Sequence, residues 1–234
     1  MKKQYKSVDC KNSNEGFAVF LDDAPALSWG GRPVVTHSAA LADALAEEWR
    51  SQGSRVEKST MPLMQFASVA LDLAGPKRDE VLADILPYGE TDLLCYRAGD
   101  TEELTQKQAQ LLDPIIAWAE SKYGVSLHIT TGLMPVAQPQ ENRAKLANAI
   151  AHYDAWKLAA LAGAVRPLGS FYLALALAEG HIDAGTAFGL SQLEEAYETD
   201  KWGNDEEKEM RLARLKNEIS QIGKFLSLLM SSVN

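Results

Sequence analysis

The sequence predicts an α+β protein in which a small antiparallel β-rich N-terminal domain packs on a larger all-helical C-terminal domain. Three observations predict it. Turn-forming compositions punctuate the first 35 residues at short intervals, and the runs between them carry aromatic and β-branched residues. At Ser38 the apolar spacing changes to steps of four, which is a helical period. From Pro139 onward the spacing is helical throughout. The expected division places the β-rich domain at residues 1–60, with segments near 92–96 and 125–130 as candidates to complete it. The mainly helical domain then spans 61–234.

Residues 4–10 and 16–22 read as short strands separated by Lys11-Asn12-Ser13-Asn14-Glu15-Gly16, a turn composition. Asp22-Asp23-Ala24-Pro25 and Trp29-Gly30-Gly31-Arg32-Pro33 mark two further reversals, so a meander is expected as far as Val35. Ser38 is placed to cap a helix with Leu41, Leu45 and Trp49 on its apolar face, and Gly53 suits the position beyond its end. Trp49, at the end of this helix, is expected to pack the interface between the two domains, with client contact as the alternative.

Residues 62–73 and 78–86 predict two short helices, and 91–96 form an apolar run that is either a strand or a buried extended segment. A long helix is expected over 102–123, closed by Gly124, with Pro114 as a candidate kink. Residues 125–130 alternate like a strand.

Asp154 and Ser170 are placed to cap helices beginning at Ala155 and Phe171. The second of these is apolar on every face until Gly180 ends it, which predicts the centre of a bundle. Asp183 caps a helix expected to reach about Lys201. The last helix begins near Asn204 or Asp205. Its stripe of Leu212, Leu215, Ile219, Ile222, Leu226 and Leu229 follows a heptad-like spacing.

The composition narrows the function classes. At 46% hydrophobic and 24% charged residues, the chain has the material for a core and is not a disordered polyelectrolyte. A net charge of −9 disfavours nucleic acid and anionic lipid and suits a basic or amphiphilic protein surface. Cys10 and Cys95 have no metal-binding spacing and read as two reduced core thiols, with a single disulfide as the alternative. The basic start at Met1-Lys2-Lys3 is followed by no apolar stretch of a secretory signal. No run is long enough to span a bilayer. A soluble protein without membrane insertion is expected, in a cytoplasmic setting.

Catalytic motifs are absent from the sequence. There is no phosphate-binding GxxxxGK[ST] loop, no GxGxxG, no GxSxG elbow, no HExxH and no CxxC. His37, His128, His152 and His181 stand apart in sequence, and zinc needs several convergent ligands. Asp92 and Arg97 flank Leu93-Leu94-Cys95 and predict an ion pair or a backbone cap. No catalytic residue, cofactor or metal is assigned.

One segment departs from the rest in charge. Residues 194–209 hold eight acids against Lys201 and Lys208, a net of −6. Acids at a helix N-terminus are favourable in their own right. The same acids, with Tyr197 and Trp202 as aromatic anchors, also make a recognition surface. Trp202-Gly203 breaks the helix and is expected to expose the indole.

Several strings together resemble a known family. They are GF-V-LD at 16–22, ALA-ALAEEW-SQG at 40–53, MPL at 61–63, TDLLCYRA at 91–98, the segment from Gln108 to Asp113-Pro114, AQP at 137–139 and GS--LALALAEG at 169–180. The acidic block S-LEE-Y----WG-DEE---R at 191–211 follows. The chain resembles the F1-ATPase assembly chaperones that hold the ATP synthase alpha subunit before the hexamer forms, a mitochondrial family with bacterial relatives. Two departures are visible. Asp23-Ala24-Pro25 and Ser28-Trp29 stand where the family usually has Gly-Arg-Pro and Thr-Pro, and Glu198 stands where it usually has Gln.

The resemblance implies a chaperone that binds the unassembled alpha subunit and prevents its aggregation until the beta subunit replaces it, without ATP use. It implies no enzyme activity and a location in the bacterial cytoplasm, or the mitochondrial matrix for eukaryotic relatives. Glu194, Glu195, Glu198, Trp202 and Asp205 are the candidate client-binding residues. The competing readings are a regulatory module for another client and a small hydrolase whose site converges only in three dimensions.

Overall fold

The computed structural model describes residues 2–99, 101–132, 134, 136–203 and 205–231. In chain order its strands are β1 (Val8–Ser13), β2 (Gly16–Leu21), β3 (Ala24–Pro25), β4 (Val35–Thr36), β5 (Tyr96–Arg97) and β6 (Thr130–Thr131). The helices begin with α1 (Ala39–Arg50), α2 (Pro62–Val69), α3 (Arg78–Ile85), α4 (Glu102–Tyr123) and α5 (Glu141–Ala149). They continue with α6 (Ala155–Leu168), α7 (Phe171–Ala178), α8 (Ala184–Ser191), α9 (Leu193–Trp202) and α10 (Glu206–Met230). A small N-terminal antiparallel sheet and a larger helical C-terminal region result, the predicted fold class. The chain divides into two compact units, residues 1–78 with 153–160 and 221–234, and residues 79–152 with 161–220.

In the first unit, β1 and β2 form a hairpin paired from Val8↔Leu21 to Ser13↔Gly16, and β2 also pairs with β3 and β4. Gly16 sits at φ +126°, and a Cβ there would lie 2.5 Å from the Thr36 carbonyl oxygen, so only glycine admits β4. Asp22 is the one described non-glycine residue at positive φ. Its carboxylate accepts from the Ser7 and Lys6 amides at 2.8 and 2.9 Å, and these bonds hold its pKa below the ordinary value.

The face of α1 is as the spacing predicts: Leu41, Ala42, Leu45, Ala46 and Trp49 are all buried. Ser38 caps the helix by accepting from the Leu41 amide at 3.2 Å, and its hydroxyl donates to the Leu228 carbonyl at 2.6 Å. At the other end of α1, Glu48 accepts from the Leu63 and Met64 amides at 2.8 Å each. One side chain thus supplies the missing partners for the first turn of α2. Burial raises the Glu48 pKa against the lowering effect of those two bonds. Phe225 completes this core between Phe66 and Trp156, at ring distances of 5.4 and 6.2 Å.

The second unit is built around α7, whose eight residues are all buried. Ser170 caps it by accepting from the Leu173 amide at 2.9 Å. Asp92 is fully buried and accepts from the Leu94 and Tyr172 amides at 3.0 and 3.2 Å. Burial pushes its pKa up to about 6, although the Ser170 hydroxyl and the backbone donors pull the other way. Asp92 is therefore a backbone cap, and the alternative of an Asp92–Arg97 ion pair gives way. Arg97 instead donates to Asp113 at 2.8 Å and to the Leu94 carbonyl at 2.5 Å.

Three local expectations are corrected. The run at 91–96 is largely a 3-10 turn, Leu93–Cys95, because Asp92 caps it and closes it tightly. Its strand residues Tyr96–Arg97 pair in parallel with Thr130–Thr131 as a separate two-stranded sheet, so among the described residues 92–96 and 125–130 do not extend the N-terminal sheet. Residues 125–129 form no strand. The Ser126 amide and carbonyl are bonded to Asn142, and the Leu127 amide is bonded to Glu120, so side chains take the ladder's place. The α4 helix runs unbroken through Pro114 and ends at Gly124 with φ +66°.

Candidate functional site

The acidic block forms the end of α8, all of α9 and the start of α10. Asp183 caps α8 by accepting from the Thr186 amide at 2.7 Å. A single helix to Lys201 was expected. Instead Gln192 leaves helical geometry at φ −112°, ψ 18°, and α9 starts afresh at Leu193. Gly203, at φ +83°, stops α9 where the sequence predicts a break. Asn204 lies outside the described residues, and Asp205 caps α10 by accepting from the Lys208 amide at 2.8 Å.

Helical spacing sorts the acids into two kinds. Leu193 and Tyr197 bury one face of α9. Tyr197, expected as an anchor for a partner, is only 5% exposed and donates to Glu103 at 2.8 Å, with Lys201 bonded to the same tyrosine and 3.3 Å from Glu103. Its oxygen has a structural role, and the stem is core. Glu195 is half-buried between Arg211 and Lys208, the latter at 3.6 Å, and the Arg211 bond lowers its pKa. It ties α9 to α10, so charge reversal there alters the fold's own contacts.

Glu194 and Glu198 are one turn apart on the exposed face and have no ionic partner among the described residues. Trp202 is 75% exposed and Met210 is 48% exposed. The corner therefore presents uncompensated carboxylates beside bare apolar area. Of the sequence-predicted residues, Glu194, Glu198, Trp202 and Asp205 are exposed, and Glu195 alone is half-buried.

Two concavities escaped the sequence reading. In the second unit, a pocket of about 320 Å³ opens beside Glu194, with Leu93, Leu112, Leu190 and Leu193 in its walls. In the first, a groove of about 750 Å³ is walled by Tyr5, Trp29 and Trp49. Its rings lie 5.7 Å (Tyr5–Trp49) and 5.9 Å (Trp29–Trp49) apart, and Lys58 sits 4.3 Å over Trp29. The buried indole N–H groups of Trp29 and Trp49 have no acceptor among the described residues. Trp49 is 3% exposed, and its ring partners Tyr5 and Trp29 belong to the same unit.

Burial pushes the Cys10 thiol up to about 11 and the Cys95 thiol up to about 12, away from reactive thiolate. His181 stacks on Trp118 at 4.6 Å, and His37 lies 3.8 Å from Asp154. No group of three or more His, Cys, Asp or Glu among the described residues is arranged to hold a metal ion. No helix among the described residues is long and apolar enough to cross a membrane.

Comparison with known proteins agrees with the resemblance carried by the motifs. The family model "ATP12 chaperone protein" matches residues 2–120. "Protein atp12, mitochondrial" of Schizosaccharomyces pombe is 26% identical over 229 residues, which cover 92% of this chain and 79% of that protein. The crystal structure of Atp12 from Paracoccus denitrificans superposes with a TM-score of 0.90 at 36% identity, covering 97% of this chain and 98% of the other. A chaperone-type structure from Agrobacterium tumefaciens gives 0.87 at 36% identity, covering 98% and 85%. The acidic corner lies beyond the residues matched by the family model. The chain belongs to the ATP12 chaperone family.

Proposed function

We propose that this protein assists assembly of the F1 sector of ATP synthase by binding the unassembled alpha subunit and covering a surface that would otherwise aggregate. The observation that carries the reading is the α9–α10 corner. Glu194 and Glu198 have no ionic partner among the described residues, and the indole of Trp202 is exposed beside them. Such a combination suits a partner face that is basic and apolar together. Membership of a chaperone family supplies the functional class.

The action is equilibrium shielding. An unassembled subunit exposes apolar area that associates without specificity. A protein that binds that area lowers the free concentration of aggregating species by mass action, with no need of nucleotide. The beta subunit then displaces it, which requires a complex that dissociates readily. Asp205 contributes by fixing the start of α10, and Glu195 by holding α9 against it.

The test is capture and solubility of purified alpha subunit. The parent protein is expected to co-purify with it and to suppress light scattering as it is diluted from denaturant. Retention of another protein in its place would assign the fold to a different client. Turnover of a generic ester, phosphate or peptide substrate would assign it to catalysis.

A further inference from the structure

The break at Gln192 does more than end a helix. It places Leu190 on one side and Leu193 on the other, and both line the pocket of about 320 Å³ in the second unit. Leu112 of α4 and Leu93 of the Asp92-capped turn complete its apolar walls. Gly169 also borders it, at φ +62°, where a side chain would be strained and the nearest neighbour to a Cβ is Leu93 at 3.8 Å. The volume is at the low end for a ligand site and suits one large side chain rather than an extended molecule. Thr91 and Glu194, both exposed, stand at its mouth.

Glu194 is the one lining residue that is charged at neutral pH, and Glu198 extends the negative rim by a turn of helix. Neither has an ionic partner among the described residues, whereas Glu195 between them is already engaged by Arg211. Tyr96, Gln108 and Ser191 also line the hole, but its four leucines make it more apolar than polar, and such a hole beneath an uncompensated negative rim is complementary to one kind of segment. We infer that the pocket is the anchor point for the client, and that it receives a leucine- or phenylalanine-like side chain standing next to an arginine or lysine. The apolar side chain supplies most of the affinity, because its burial excludes water. The rim-exposed carboxylates select the basic neighbour and speed encounter, and contribute less to affinity.

The inference rests on the alpha subunit being the client, and the experiment separates the two. Thr91→Trp fills the mouth from an exposed position, so folding should be preserved, as checked by thermal melting. Its affinity for purified alpha subunit is expected to fall by about tenfold or more. Glu194→Lys is expected to weaken binding and to remove much of its dependence on salt. Hydrogen exchange on the parent protein provides a readout free of any variant: amides at 190–194 should be protected when alpha subunit is bound. In a panel of short peptides spanning the alpha subunit, those pairing a large apolar residue with a base should bind the parent and not Thr91→Trp. Parental affinity in the folded Thr91→Trp variant, or unprotected amides at 190–194 in the complex, would overturn the pocket while leaving the client in place. Failure of the parent protein to bind alpha subunit at all would overturn both.

Discussion

The carboxylates of the first unit and those of the α9–α10 corner have the same chemistry and opposite employment. In the first unit, Asp22 takes the Lys6 and Ser7 amides, Glu48 takes the Leu63 and Met64 amides, and Asp72 takes the Ser28 hydroxyl and the Gly30 amide. Each satisfies donors that the backbone or a turn would otherwise leave without partners. At the corner, Glu194 and Glu198 satisfy nothing within the described chain. Acids of the first kind maintain the fold. Acids of the second kind leave their charge available to another molecule. Glu195 shows that sequence proximity does not decide the class: it lies between the two free acids' turns and is held by Arg211 and Lys208.

This contrast can be broken by substitution, and the largest effect is expected in the core of the second unit. Asp92→Ala leaves the Leu94 and Tyr172 amides without an acceptor in a fully buried site, and unfolding free energy should drop by about 3 kcal/mol. Chemical denaturation measures it. Glu48→Ala removes the acceptor for two amides at the start of α2 in a less buried setting, and should cost about 2 kcal/mol. Trp202→Ala and Glu198→Lys should leave the melting temperature unchanged and lower client affinity by about tenfold for the tryptophan, less for the glutamate. Arg211→Ala should cost below about 1 kcal/mol, because the pair it forms with Glu195 is partly exposed to solvent.

The contrast sharpens under pH. Burial raises the folded pKa of Asp92 from 3.8 to about 6, so the native state binds this proton more tightly than the unfolded chain. By linkage, the Asp92 contribution to stability is greatest below the lower value and declines as pH rises from 3.8 to about 6. Asp22, Glu103 and Glu195 have lowered pKa values and behave oppositely, losing their stabilising contribution as pH falls. The difference in unfolding free energy between the parent and Asp92→Asn isolates the first effect. It should slope across this window and flatten above it.

Much of the architecture was legible in residue types with a local physical role. Ser38, Asp154, Ser170, Asp183 and Asp205 all cap the helices that their positions predict. The all-apolar face of 171–178 announced the buried α7. The stripe of α10 is buried at Ile219, Ile222, Leu226 and Leu229 but only half-buried at Leu212 and Leu215, where spacing alone carried no such gradient.

What failed was decided by partners distant in sequence. The alternation at 125–130 resembles a strand, yet Asn142 and Glu120 take its amides. The break at Gln192 has no proline or glycine to signal it. The acidic block was visible as composition, but the division of Glu194 and Glu198 from Glu195 required Arg211 and Lys208 to be brought alongside. Trp202 was read correctly as exposed because Gly203 stops the helix immediately after it.

The measurement that bears most directly on the central claim is suppression of alpha-subunit aggregation by the parent protein and by a Glu194→Lys/Glu198→Lys double variant of equal melting temperature. The account predicts that the parent keeps the subunit in solution and that the double variant does so only at far higher concentration. Equal protection by the two proteins would contradict it, for the free acids of the corner would then have no part in holding the client.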